Sequence, residues 1–443
     1  MNVQISKQFN LLELLRFSIP TIMLLILSSL YTTVDGIFIS RFVGSDALSA
    51  LNIVLPLIYF MYGLAIMLGS GASAIIGKKL GEGKTREAKE NFTLITVVAL
   101  AVGITLSLII RIGISPIATA LGASDLLMPF CKEYGKIVFS FITFQIIQFM
   151  YNSLFVTAGK PRLALAVSII SGLINICLDY VFIVILDMGI SGAAWGTGLS
   201  QAFGGIFPLI YFVVNRKGMC YVRPKMDGKM IIHAMANGSS EMVGNLASAI
   251  TTFLFNISMM KLIGEDGIAA ISIMLYLQFT FSAIFFGFST SVAPIISYNY
   301  GKKDTVYLKK LFRYCPYIVG GSTVLVLVVA WGMAKPLIGV FSEIGSRVYQ
   351  ITFHGYMIFI WNFIFAGYNI FSSALFSAFS NGLISAIISF MRTLVFIVVS
   401  VLVLPNFLGI DGLWLAIPVS ELLTTFIAVP CFIKYGKNTY HYL

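Results

Sequence analysis

Residues 14–39 read LLRFSIPTIMLLILSSLYTTVDGIFI. A run this long and this apolar exceeds the ~20 residues a helix needs to cross a bilayer. It carries Arg16 near its start and Asp35 near its end. Working outward, eleven further runs of the same kind follow, at about 52–76, 92–114, 134–158, 163–186, 193–214, 230–260, 268–297, 312–333, 351–379, 383–404 and 412–433. Their apolar residues do not alternate, which favours helices over the strands of a membrane barrel. The reading is an all-α integral membrane protein with twelve transmembrane helices.

The bulk numbers agree. Of 443 residues, 58% are hydrophobic and 11% charged, against ~25% charged in a soluble domain. Mean hydropathy is +0.94. A soluble fold could not hide that much apolar surface, so a soluble enzyme, a disordered chain and a disulfide scaffold are excluded. The five cysteines (Cys131, Cys177, Cys220, Cys315, Cys431) are scattered and form no CxxC pair, and read as small hydrophobes. His233, His354 and His441 are isolated, so no metal centre is expected. No nucleophile–base pattern suggests an enzyme. The N-terminal run lacks a small-residue cleavage site and reads as the first span, behind a short amphipathic stretch (Phe9, Leu11, Leu12, Leu14, Leu15).

The net charge is +11. Of the 29 Lys and Arg, 21 fall in loops on one side of the twelve spans and 7 on the other, with Arg392 inside a span. Basic loops stay in the cytoplasm, so both termini are expected inside. These residues are spread over short loops with no aromatic interleaving, which does not suit nucleic acid.

The chain also repeats itself at an offset of 220. Gly44, Asp46 and Ala50 recur as Gly264, Asp266 and Ala270; Gly81, Lys89 and Phe92 as Gly301, Lys309 and Phe312. Pro116 and Gly135 recur as Pro336 and Gly355. Gly189-Ile190-x-Gly192 with Ser200 recurs as Gly409-Ile410-x-Gly412 with Ser420. The period holds six spans, an even number, so the halves are parallel. We divide them as 1–218 and 219–443. Duplicated halves suit a transporter that alternates access by rocking one half against the other.

Charges inside a membrane are costly and point to function. Five within the spans are candidates: Asp35, Asp179, Glu241, Arg392 and Glu421. Asn175 and Asp179, four apart, share a helix face that could meet a cation or a proton. If Asp35 and Asp179 approach, they share a proton or bind Na⁺. Arg392 and Glu421 could instead pair with each other. Gly192, Gly196, Ser200 and Gly204 form a small-residue stripe read as helix packing. Candidates to line a cavity are Glu241, Asn362, Asn369, Gln145, Gln148 and Tyr59.

Three stretches now carry a family resemblance. Pro20–Leu51 (PTIMLLILSSLYTTVDGIFISRFVGSDALSAL) resembles the first-helix region of the multidrug and toxic compound extrusion (MATE) family. Gly69–Lys89 (GSGASAIIGKKLGEGKTREAK) resembles its 2–3 loop. Gly287–Asp304 (GFSTSVAPIISYNYGKKD) resembles the matching part of the second half, as in the DinF/MepA-like branch. The resemblance implies two six-helix lobes of the MATE/MOP type and export of cationic or lipophilic compounds by H⁺ or Na⁺ antiport. It implies a cation site at Asp35, Asn175, Asp179 and Thr197, with Tyr31 beside it. Glu241 matches an acidic position of the NorM-like branch, whose helix-10 acid is absent here; Asn362 and Asn369 stand there instead. The expectation is therefore a monomeric bacterial inner-membrane antiporter, with H⁺ or Na⁺ as coupling ion and no other cofactor. Its partners are organic cations and membrane lipid. Alternatives are a lipid-linked oligosaccharide flippase of the same superfamily and a non-transporting receptor.

Overall fold

A lipid-embedded chain must satisfy its backbone polar groups internally, and a helix does so within one segment. The computed structural model describes residues 4–38, 43, 45–121, 123, 125–215 and 218–440, less the side chains of 4, 29–38, 45–49, 52, 249, 265 and 438. It is 87% helix, with no strand among the described residues.

The first half runs α1 (Leu11–Phe38), α2 (Ser45–Gly81), α3 (Thr85–Ala120), α4 (Met128–Val138), α5 (Ile142–Thr157), α6 (Pro161–Asp179) and α7 (Gly189–Val214). The second runs α8 (Gly228–Leu262), α9 (Glu265–Lys302), α10 (Thr305–Gly332), α11 (Ala334–Gly339), α12 (Arg347–Phe359), α13 (Phe363–Ala378), α14 (Gly382–Phe390), α15 (Phe396–Val403), α16 (Pro405–Leu408), α17 (Ile410–Trp414) and α18 (Ala416–Asn438). Eleven helical stretches suffice to span a membrane, and α4 with α5, bent by 59°, makes the twelfth. All twelve expected spans are present. Four are not plain helices, the tenth being interrupted by a 3-10 turn (Ile360–Asn362) between α12 and α13. The fourth breaks between α4 and α5, the fifth continues from α6 as a π-helix (Tyr180–Ile185), and the eleventh carries another (Met391–Val395) between α14 and α15.

The duplicated Gly-Ile-x-Gly motif has one structural job in both halves. Gly189 and Gly409 hold positive φ, +55° and +58°, where a Cβ would be strained. Three residues on, a Cβ at Gly192 would meet the backbone of Phe182, and one at Gly412 the carbonyl of Leu404. Each motif turns the chain and then packs it against the helix it has just left.

The halves meet through their own repeat. A Cβ on Gly81 would strike the carbonyl of Tyr298, and one on Gly301 the carbonyl of Lys78. Shifting either pair by 220 gives the other. Likewise Gly71 lies against Ala234 and Gly238 against Met67. At the positions 220 away from Gly71 and Gly238, Ser291 and Ser18 share a 2.6 Å hydrogen bond. A pseudo-two-fold axis thus runs between α1–α2 and α8–α9, and the lobes close together toward the ends that carry Lys78, Lys79 and Lys302. The N-terminal arm ties both lobes there, since Tyr307 Oη accepts from the Phe9 N–H and donates to its carbonyl at 3.2 Å.

Aromatic clusters close that end of each lobe. In the first, Phe92, Tyr151 and Phe212 receive Tyr221 from the connecting segment. Tyr221 pairs with the hydroxyl of Tyr151, and burial pushes its phenol up to about 12. In the second, Phe312, Phe379 and Tyr300 receive Tyr440 from beyond α18.

Candidate functional site

Within the first lobe, α6 and α7 pack face to face along the small-residue stripe. Asp179 ends α6 with 0% exposure, and Asn175 lies one turn before it on the same buried face. Across from them, Gly196 has no side chain, and a Cβ there would collide with Oδ1 of Asp179. The neighbouring Thr197 has a buried Oγ1 with no hydrogen-bond partner among the described residues. The stripe therefore does more than pack. Its glycine makes room for the carboxylate, and the next residue brings a hydroxyl to the same level. A π-helix begins at Tyr180, immediately after Asp179, and such turns are frequent at functional sites.

Below this level the lobe interior stays polar. Ser171 donates to the carbonyl of Ser200 at 2.7 Å and accepts from Nε2 of Gln148 at 3.3 Å. Gln145 is 1% exposed, and neither of its amide atoms has a partner among the described residues. The same holds for Oε1 of Gln148 and of Gln201. Buried polar atoms normally find a partner, so a lobe interior with this many open donors and acceptors is suited to water or an ion. Gln201 and Ser171 escaped the sequence reading. Gln201 follows Thr197 by four residues on α7, the spacing that picked out Asn175 and Asp179. Tyr31 and Asp35 lie within α1 by backbone, but their side chains fall outside the described residues.

The second lobe is built differently. Arg392, in the π-helix, lies 3.6 Å from Glu421, with the two side chains 11% and 7% exposed. Asn369 Nδ2 donates to Oε2 and to the backbone carbonyl of Glu421, both at 2.8 Å. Thr425 donates to Oδ1 of Asn369 at 3.2 Å. Ser420 holds the carbonyl of Arg392 at 2.8 Å, and the guanidinium lies 5.6 Å from the Phe286 ring centre. Glu241 on α8 is near enough to Arg392 to feel its charge. The expected Arg392–Glu421 pair is present, and Asn369 belongs to that pair rather than to an open wall. Asn362 is also fully buried, donating to the carbonyl of Phe359 at 2.7 Å. Tyr59 is 38% exposed and sits by Tyr62.

Comparison with known proteins fits this geometry. The profile of the family described as MatE matches residues 20–181 and again 242–402. Multidrug export protein MepA of Staphylococcus saprophyticus is 25% identical over 344 residues, covering 77% of this chain and 75% of that protein. MepA of a bovine Staphylococcus aureus strain is 23% identical over 429 residues, covering 94% and 92%. Among solved structures, an outward-facing multidrug resistance MATE transporter of the MOP superfamily aligns with a TM-score of 0.90 at 21% identity, covering 97% of this chain and 96% of that one. A MOP superfamily transporter from Pyrococcus furiosus, described as having a binding pocket of reverse polarity, aligns at 0.88 and 21%, covering 96% of each.

Proposed function

The chain belongs to the MatE family, and on that premise we propose that it is a multidrug exporter of the bacterial cell membrane, driven by inward flow of H⁺ or Na⁺. Both termini lie in the cytoplasm, where the basic loops hold them. The protein works as a monomer on organic cations and lipophilic compounds, with no cofactor beyond the coupling ion. The relatives called multidrug export proteins support the export reading.

One observation carries the assignment of the coupling site: a fully buried Asp179, with Asn175 on its own helix and Gly196 of α7 directly against it. A carboxylate in a lipid-embedded lobe is costly without a cation. Asp35 and Asp179 take up a proton or Na⁺ when the lobes open outward, with Asn175, Thr197 and Tyr31 supplying further oxygens. Uptake shifts the balance of conformations only if the ion binds the two states with different affinity, and it favours release of the drug. Loss of the ion to the cytoplasm resets the lobe. Glu241, Gln145, Gln148, Tyr59, Asn362 and Asn369 act around the cavity, the last through Glu421.

Dye uptake into inverted vesicles, driven first by an imposed pH gradient and then by an imposed Na⁺ gradient, tests this and names the ion. Asp35→Asn and Asp179→Asn are each expected to abolish gradient-driven uptake. Unchanged transport in either would sink the assignment.

A further inference from the structure

Where α1 enters the membrane, a cavity of about 660 Å³ opens between its first turns and the α5–α6 turn, with Tyr211 of α7 behind. Four cations line it: Lys7, Arg16, Lys160 and Arg162. The one acid, Glu13, is held by Lys7 at 2.6 Å. Arg16 and Arg162 form no ion pair among the described residues. Lys160 stands 5.3 Å over the ring of Tyr211, a contact that fixes its ammonium at the cavity wall. The cavity is thus strongly positive, opposite in sign to the acids proposed to couple transport, and it repels the cationic substrates proposed above. Beside it, Leu12 and Ile19 of α1 are 64% and 48% exposed, an apolar strip at membrane depth.

We propose that this cavity holds the phosphate of an anionic phospholipid from the leaflet that the basic loops face. The two guanidinium forks suit bidentate contact with phosphate oxygens, and Lys160 adds a third charge from above. The acyl chains lie along Leu12 and Ile19. Basic pockets between helices on the cytoplasmic side recognise lipid head groups in this way. The site also has a mechanical position. The arm that forms one wall is tied to the second lobe through Phe9 and Tyr307, while the other wall belongs to the first lobe. A lipid bound here bears on the segment that bridges the lobes.

The test uses the purified full chain in neutral detergent, with native mass spectrometry reading retention of phosphatidylglycerol against phosphatidylcholine. The wild type is expected to retain phosphatidylglycerol preferentially, with retention falling as salt rises. Arg16→Gln/Arg162→Gln is expected to weaken it by roughly fivefold for each cation removed. Lys309→Gln/Arg313→Gln, which takes the same charge from the second lobe, is expected to leave it unchanged. Inorganic phosphate separates the two sources of a phosphate group, and a lipid site resists displacement by millimolar phosphate. Equal retention of the two lipids, loss only in the control variant, or displacement by inorganic phosphate would overturn the proposal. If the Gln variant fails to fold, Arg16→Lys/Arg162→Lys keeps the charge and is expected to retain the preference, while salt-independent retention by the wild type would refute it.

Discussion

Gly196→Ala is the sharpest probe of the first lobe, because it adds one methyl group opposite one carboxylate. The added carbon would stand 3.2 Å from Cγ and 3.3 Å from the backbone N of Asp179, and closer still to Oδ1. Carbon and oxygen settle at ~3.3–3.6 Å even in their favourable contacts, so the carboxylate must retreat by roughly 1 Å. Overpacking of this kind costs ~1–3 kcal/mol of stability, which a folded transporter survives. A functional site tolerates far less, since ligands must be held to within ~0.5 Å and a 1 Å displacement can cost ~100-fold. The expected result is a protein that inserts and purifies normally, with gradient-driven efflux reduced by one to two orders of magnitude (~10–100-fold). Its dependence on the coupling ion should shift toward higher concentration. The assay is reconstituted dye efflux against pH and Na⁺, with thermal melting as the stability control. Gly113→Ala on α3 is the comparison, since its added carbon comes no nearer than 3.5 Å to the Ile117 side chain. Normal efflux with normal ion dependence in Gly196→Ala would refute the claim that this glycine confines the coupling carboxylate.

Three further outcomes follow from the rest of the molecule. Arg392→Gln leaves Glu421 buried without its guanidinium and should cost ~3–5 kcal/mol, read as a lowered melting temperature and partly rescued by adding Glu421→Gln. Gly71→Leu drives a side chain into the carbonyl of Ala234 and should part the lobes at their basic end. A cysteine at Ser18, buried against Ser291 in the wild type, should then react with maleimide faster, and an unchanged rate counts against the seam. Asp304 caps α10 by accepting from the Tyr307 N–H at 3.0 Å, and that bond, with Lys302, lowers its pKa. A carboxylate lowered by folding stabilises above its unfolded value of ~3.9 and loses that contribution as pH falls through the folded value. Asp304→Asn should flatten this acid limb in melts from pH ~5 downward, whereas Asp304→Ala should cost ~0.5–2 kcal/mol at neutral pH.

The spans and the repeat were legible because they rest on composition and punctuation. An apolar run crosses a bilayer whatever surrounds it, and Gly189 and Gly409 are read from a turn that only glycine enters freely. Interruptions of a span were not legible. Nothing in residues 134–158 marks the bend that separates α4 from α5, and no residue type announces the π-helices at Tyr180 and Met391. These depend on how a helix packs against neighbours far away in the chain. The acids followed the same division. Asp179 stood out because charge is costly in the membrane, and Asn175 followed from its spacing. In the sequence Gly196 is one of four packing residues, because its role exists only once α7 lies against α6. Asn369 was placed on a cavity wall because the sequence does not say that Glu421 faces it.

The duplication also explains why coupling should reside in one lobe. The helices that carry Asp35 and Asp179 have second-lobe counterparts in α8 and in the α14–α15 span. No acid occurs there between Met242 and Met260 or between Gly382 and Leu404. Instead, the second lobe places Arg392 inside the membrane, against Glu421. That cation is covalently part of the protein and cannot leave. The first lobe has the opposite arrangement, since residues 17–38 and 163–215 contain Asp35 and Asp179 but no Lys or Arg. A buried carboxylate favours whatever cation reaches it, and on the proposed reading that cation is the mobile coupling ion. Two lobes with one architecture thus divide the work by where the positive charge is anchored. On the proposed reading, the tethered guanidinium beside Glu421 makes one lobe's charge permanent, while an exchangeable ion at Asp179 would report which side of the membrane the other lobe faces.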